Sequence, residues 1–320
     1  MSERLGELAA LGTALLWALT YVQFTIAVRR IGPGRLNRLR LLAALVFLAV
    51  VHGVLYRTPV PLDAGAGRWG WLILSGVIGF AISDALLFTA MLHLGAHRTS
   101  LMMALVPVVS ALLAWGLFGE VLTWIQMLAG LATVGGVALV ISARRTADVP
   151  STDDAPSADG APSAGAASPT DGGARRVLVG VLFAVGAAVA QSLRYILSKQ
   201  GMSGGFPVVS ANVMQILSAT VAVWIVALVR RDARGSFRAM IERRALRPTV
   251  GGALTGPFLG VTLSLVALSS APVGIASTLM ALAPVALLPL SWFLFRERIT
   301  LRAIAGTVLA VGGVALLFLS

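Results

Sequence analysis

Ten stretches of about twenty residues, nearly free of charge, make up most of this chain: about 5–28, 36–56, 69–92, 98–118, 123–142, 177–198, 208–229, 249–271, 273–295 and 300–319. A helix rising about 1.5 Å per residue needs about 20 residues to cross a hydrocarbon layer roughly 30 Å thick, so each stretch has the length of one crossing. Lipid offers the backbone no hydrogen-bond partners, which leaves only helices and closed barrels as spanning structures. Barrel strands alternate polar and apolar residues with period two, and these stretches do not. The sequence therefore predicts an all-α membrane protein of ten transmembrane helices in the cell membrane. With 58% hydrophobic and 12% charged residues the chain lacks the polar surface of a soluble domain, which is about 25% charged. The first stretch exceeds the 7–15 apolar residues of a signal peptide and is read as a retained span.

Residues 104–123 read ALVPVVSALLAWGLFGEVLT and residues 281–300 read ALAPVALLPLSWFLFRERIT, with ten identities in twenty at a constant offset of 177. Pro107 stands over Pro284, Trp115 over Trp292 and Glu120 over Glu297, and GGVAL at 135–139 returns at 312–316. Upstream the register thins to points such as Gly79 over Gly256 and Ser100 over Ser277. Between the copies lies a Pro/Ser/Ala/Gly/Asp tract that cannot bury enough apolar surface to offset its ordering entropy. The expected organisation is a first five-helix repeat at 1–145, a disordered linker at 146–174 and a second five-helix repeat at 175–320. An odd number of crossings per copy inserts the second copy upside down. Inverted repeats of this kind enclose a central site that secondary transporters expose alternately to each side.

These residues resemble the EamA-type repeat of the drug/metabolite transporter superfamily. The likeness rests on the proline of the fourth span, the Glu at its end, the Thr opening the fifth, the Gly-rich helix that follows, and LRLLAAL at 39–45. The resemblance implies two inverted five-helix EamA-like repeats and transport of a small metabolite, with both termini inside. Charge places the termini on the other side. The loops after spans 1, 3, 5, 7 and 9 carry 19 of the 25 basic residues, while the terminus-bearing face carries Arg4, Arg57, Arg68 and Lys199. By the positive-inside rule the termini then lie outside.

The net charge of +12 is spread through loops rather than gathered in a compact basic domain, so membrane lipids are the expected partners and nucleic acid is not. Cysteine is absent, which removes disulfides and thiolate sites. His93 and His97 stand four apart, but Gly95 interrupts the helix between them and no zinc motif surrounds them. No metal and no cofactor are expected, and the protein is expected to be a monomer or a homodimer.

Asp84 lies near the middle of the third span, where a carboxylate costs on the order of 2.5–3.5 kcal/mol to insert and normally faces a cavity or a partner. It is the first candidate for a proton-coupling group or a counter-ion to a substrate amine, against the alternative of a permanent structural pair. Arg194, with Gln191 and Tyr195 at helical spacing, can bind a carboxylate or else snorkel to the nearby interface. Arg40, about a turn inside the second span, is expected to snorkel. Trp17 and Tyr21 share a face of the first span, as Asn212 and Gln215 do in the seventh, and either pair could wall a pocket or simply pack. Pro107 and Pro284 are expected to kink spans four and nine symmetrically by freeing the carbonyls of Met103 and Met280, as a gate or as plain packing. Glu120 and Glu297 precede helix starts, and Thr123 with Gln126 forms a capping-box pattern, so both acids are read as structural.

The reading that follows is a secondary carrier for small polar or zwitterionic metabolites such as amino acids, with export ahead of uptake by family analogy. The competing classes are an intramembrane lipid-modifying enzyme, which needs convergent catalytic groups the sequence does not supply, and a non-transporting scaffold or sensor built on the acidic linker.

Overall fold

The computed structural model describes residues 2–118, 123–142, 169–270, 279–280, 282–295 and 300–319. All regular structure among them is helical. Five helices are by length and composition apolar enough to cross a membrane, among them Pro33–Tyr56 and Val208–Val229. The first half contains α1 (Ser2–Ile31), α2 (Pro33–Tyr56), α3 (Ala66–Gly76), α4 (Asp84–Leu94), α5 (Ala96–Met102), α6 (Leu105–Phe118) and α7 (Trp124–Ser142). The second contains α8 (Pro169–Gly201), α9 (Val208–Val229), α10 (Ala233–Ile241), α11 (Arg243–Ala253), α12 (Val261–Ser270), α13 (Ala283–Phe295) and α14 (Leu301–Leu319).

Local chemistry explains where these helices begin and end. Gly32, at φ 79°, takes a backbone conformation that strains a side chain and turns the chain sharply, and Pro33 then opens α2 with its fixed φ. Thr123 caps α7 as its sequence predicts: its backbone N–H donates to Gln126 Oε1 at 3.0 Å, and Gln126 N–H donates to Thr123 Oγ1 at 3.2 Å. Thr300 repeats the cap, receiving the Ala303 N–H at 3.2 Å. Glu120 and Glu297 lie outside the described residues.

Two expectations change. Span four is not a continuous kinked helix but two pieces, α5 and α6, with a turn at residues 103–104. Pro107 and Pro284 consequently sit in the first turns of α6 and α13, where a missing N–H costs no hydrogen bond, and they start helices rather than bend them. The Met103 carbonyl is taken by the Val106 N–H at 3.1 Å. Of the linker expected at 146–174, residues 146–168 lie outside the described residues, and α8 already begins at Pro169.

The third span of each half carries a π-helical stretch. Val77–Ser83 joins α3 to α4 as a π-helix, and Leu254–Gly260 joins α11 to α12 in the same way, at an offset of 177 residues. The Asp84 N–H bonds the Gly79 carbonyl, five residues back, and the Val261 N–H bonds the Gly256 carbonyl. Such wide turns are rare and often mark functional positions.

Packing follows the duplication. The most extensive contact is α7 on α14, the fifth span of each half. A Cβ built on Gly136 would lie 2.5 Å from the Gly306 carbonyl oxygen and 2.4 Å from the Ala310 nitrogen; one on Gly313 would lie 2.7 Å from the Ala129 oxygen and 2.6 Å from the Thr133 nitrogen. Adding 177 to 129, 133 and 136 gives 306, 310 and 313, so the seam is its own image under a two-fold rotation. Rising numbers in α7 meet falling numbers in α14, and the two helices therefore run antiparallel. Backbones this close are the mode of association open to helices in lipid, where apolar burial drives nothing. The same rotation relates α1 against α12 to α8 against α4, and α2 pairs with α9. Counted as crossings, with α3 and α4 in one span and α5 and α6 in another, the described residues form two inverted copies of a five-span repeat.

Candidate functional site

The π-stretches decide where polar groups gather. Widening the third span at Val77–Ser83 turns the carbonyls of Phe80 and Ala81 sideways, and Asn37 of α2 donates its amide to both, at 3.0 and 3.1 Å. The Asn37 oxygen in turn accepts from Arg40 Nε at 3.0 Å and Nη2 at 2.9 Å, and Arg40 Nη2 also reaches the Phe80 carbonyl at 3.3 Å. That fixes the guanidinium over the rings of Phe88 and Phe24, 5.0 and 5.6 Å from their centroids. Asp84, the first residue after the π-stretch, receives Arg40 Nη2 on Oδ2. Arg40 is 3% exposed and its partner 15%. Arg40 therefore does not snorkel. The second span starts at Pro33, so Arg40 lies about two helical turns inside it, where a carboxylate is nearer than water.

The second guanidinium approaches from the other half. Arg194 of α8 is buried, with its Cζ 4.4 Å from the Phe80 ring centroid and 5.0 Å from that of Tyr195. Nη1 donates to Gln215 Oε1 at 3.2 Å, and the Gln191 amide oxygen, turned toward the guanidinium, accepts from Nη2 and Nε at 3.1 and 3.2 Å. Gln215 donates onward to Ser198 Oγ at 3.0 Å, and Ser198 meets Ser75 of α3 at 2.8 Å. Gly79 permits this approach, because a Cβ there would fall 1.7 Å from Arg194 Cδ. Phe80 thus serves both cations, its carbonyl holding Arg40 and its ring covering Arg194.

Asp84 is close enough to Arg194 as well as Arg40 for the charges to interact, and Tyr21 of α1 lies within electrostatic reach of Asp84 and Tyr195. Among the described residues Arg194 has no carboxylate of its own, and Asp84 Oδ1 carries no hydrogen bond. The cluster therefore holds two guanidiniums and one carboxylate, and stands one positive charge out of balance inside the membrane. An anion entering there restores neutrality, and Asp84 Oδ1 remains free to accept from an ammonium.

The structure brings Asp84, Arg40, Arg194, Gln191, Tyr195 and Gln215 together, with Tyr21 beside them. The two proposed pairs divide. Trp17 turns instead to the second π-stretch, its Nε1 2.8 Å from where a Cβ on Gly260 would stand. Asn212 donates to the Pro257 carbonyl at 3.1 Å while Gln215, three residues on, faces Arg194. Near Pro107, Ser192 of α8 donates to the Val106 carbonyl at 2.9 Å. Asn37, Phe80, Ser75 and Ser198 were not foreseen; the only signal was an asparagine between the arginines at the start of the second span, in RLNRLRLL. Among the described residues no group of three His, Cys, Asp or Glu is placed to hold a metal.

Comparison with known proteins fits this geometry. The model of the EamA-like transporter family matches the chain twice, over residues 4–142 and 178–319. The chain belongs to the EamA-like transporter family. As a member of the drug/metabolite transporter superfamily it is a multi-pass membrane protein, and its family is one of transporters rather than enzymes. One curated relative of this EamA chain is "Probable terminal-alkyne amino-acid exporter" of Streptantibioticus cattleyicolor, 30% identical over 132 residues. That match takes in 41% of the EamA chain and spans only 43% of the relative's length. A solved crystal structure superposes along 98% of this EamA chain and 96% of its own, with a TM-score of 0.63 at 17% identity, a likeness of fold alone.

Proposed function

We propose that this EamA-family protein is a secondary carrier that exports small zwitterionic metabolites, amino acids foremost, by alternating access between its two halves, with Asp84 as the group that links transport to protons. The observation that carries the reading is the charge imbalance at the meeting of α2, α4 and α8. A substrate carboxylate complements Arg194, and a substrate ammonium complements the open oxygen of Asp84. Gln191 and Gln215, the latter braced by Ser198, hold the Arg194 guanidinium in place before substrate arrives, which lowers the ordering cost of binding. The curated relative, described as "Probable terminal-alkyne amino-acid exporter" and matched over 43% of its length, supports the same class of cargo.

The test is counterflow of labelled amino acids, amines and carboxylates in proteoliposomes, with and without a pH gradient. Amino acids should move and single-charge analogues should not. Arg194→Gln and Asp84→Asn should each abolish movement, and Gly79→Ala should do so indirectly by displacing the Arg194 stem. Transport by Asp84→Asn at the parental rate and with parental pH dependence would remove the coupling role. Absence of movement for every zwitterion under every gradient would remove the reading as a whole.

A further inference from the structure

The loop between the seventh and eighth spans is not simply a connector. Residues 230–247 contain seven arginines against two acids, Asp232 and Glu242, and include a helix of their own, α10. Asp232 is already committed inward. It accepts from Arg38 Nη2 at 2.5 Å and Arg35 Nη2 at 3.4 Å, both on α2. Ser236 Oγ on α10 accepts from Arg38 Nε at 2.7 Å. Hydrogen bonding from Arg38, with Arg35 nearby, keeps the Asp232 carboxyl below the usual carboxylate range, so it stays ionised and bound at neutral pH. The inner face of α10 is fixed by these contacts and by buried Ala239.

The outer face is different. Arg234 and Phe237 are exposed there, and the Phe237 ring, 57% exposed, lies 5.6 Å from the Trp224 ring at the end of α9. Around them that end of α9 presents Ile225, Leu228 and Val229 outward, followed at once by exposed Arg230 and Arg231. Exposed Arg243, Arg244 and Arg247 line the start of α11. None of these six arginines pairs with a carboxylate among the described residues. An outward aromatic ring level with the end of a lipid-facing helix, ringed by uncompensated arginines, is the arrangement of a helix lying in the membrane interface.

We infer that α10 with the adjoining ends of α9 and α11 is a docking surface for anionic phospholipid, phosphatidylglycerol in kind. Arg234, Arg230 and Arg231 take the headgroup phosphate, while Phe237 rests among the acyl chains beside Trp224. Charge complementarity argues for this occupant over a zwitterionic lipid, because the loop has seven arginines against two acids and one of those acids, Asp232, is already taken by Arg35 and Arg38. The inner contacts of α10 run to Arg38, two residues before Arg40, so the lipid surface is tied mechanically to the helix that bears the central guanidinium.

The experiment measures lipid retained by the full chain, independently of transport. Protein reconstituted with phosphatidylglycerol is washed with phosphatidylcholine–detergent micelles, and remaining lipid per protein is counted by mass spectrometry. The parent should keep phosphatidylglycerol, and keep less as ionic strength rises. Arg234→Gln should lower retention roughly fivefold, the effect of one cation at an anionic surface. Phe237→Ser should lower it with every charge intact, and Arg57→Gln, at the far end of α2, should leave it unchanged. Parental retention by both Arg234→Gln and Phe237→Ser overturns the inference. So does an equal loss in Arg57→Gln, which would show charge without a site, and so does displacement by soluble glycerophosphoglycerol as effective as by lipid, which would show a phosphate site only. Unchanged gel-filtration profiles confirm that each variant is folded.

Discussion

The carbonyls of Phe80 and Pro257 occupy the same place in two copies of one helix, 177 residues apart, and each receives the side-chain amide of an asparagine from the preceding span. The donors differ in how much else they do. Asn37 makes four hydrogen bonds, to Phe80, Ala81 and twice to Arg40, whereas Asn212 makes one. The two copies share a bend, but only the first has been wired to a charge.

That difference predicts unequal costs. Side-chain hydrogen bonds in membranes are worth on average about 0.6 kcal/mol, so Asn212→Ala should cost about that and Asn37→Ala about 2 kcal/mol. Thermal unfolding in detergent gives the order directly. Asn37→Ala should also impair transport beyond its effect on stability, because Arg40 loses the oxygen that positions it.

The Arg40–Asp84 pair should respond asymmetrically to its removal. Replacing one partner leaves an uncompensated charge and costs about 3–5 kcal/mol, whereas replacing both with apolar side chains of similar volume is close to neutral. Asp84→Leu should therefore lower the melting temperature far more than Arg40→Met with Asp84→Leu. The double variant should fold and still fail to transport, which separates folding from function at one site.

The helical seam makes a sharper contrast. Gly136→Ala and Gly313→Ala drive a methyl into facing backbone and should each cost about 1–3 kcal/mol. Their neighbours Gly135 and Gly312 have nothing within 4 Å of an added Cβ, so alanine there should change stability by less than about 0.5 kcal/mol. Four variants, measured by thermal melting, should fall into two well-separated groups.

Asp232 supplies a pH dependence whose sign follows from its environment. Its carboxyl is held below the ordinary value, near 3.9 for aspartate, so its contribution is fully present above about pH 4 and is lost as pH falls through the lower, folded value. The parent should be more heat-stable than Asp232→Asn at neutral pH. The gap should close below about pH 4. A constant gap across the range would mean that shape rather than charge joins α10 to α2.

The spans and their duplication were legible because both are written in strings of neighbouring residues: apolar runs give the helices, and GGVAL read twice gives the seam. The cap at Thr123 was legible because Gln126 is one helical turn away. The π-stretches were not. VIGFAIS and LTGPFLG look like ordinary apolar helix, and only the register of Gly79 with Gly256 hinted that the two positions matter. Arg40 and Asp84 are 44 residues apart, and nothing local announces their pairing; reading the second span three residues short placed Arg40 nearer the surface than it lies. The prolines were misplaced for a related reason. A kink presumes an unbroken helix, whereas the chain turns at 103–104, where Pro107 has no N–H to offer the Met103 carbonyl.

Joining two inverted copies in one polypeptide has a chemical consequence that the self-matching seam alone would forbid. A pair of identical repeats would double every charge about the axis, bringing four guanidiniums and two carboxylates into one small space. Here Val261 stands where the first copy has Asp84; Asn212 meets the carbonyl that matches the one Asn37 meets, which puts Gln215 at the place of Arg40; and Thr20, packed on Gly256 as Arg194 is on Gly79, stands at the place of Arg194. Symmetry is kept in the scaffold and abandoned at the charge cluster, so that under the carrier function proposed above a molecule with unlike ends would be gripped in one orientation only.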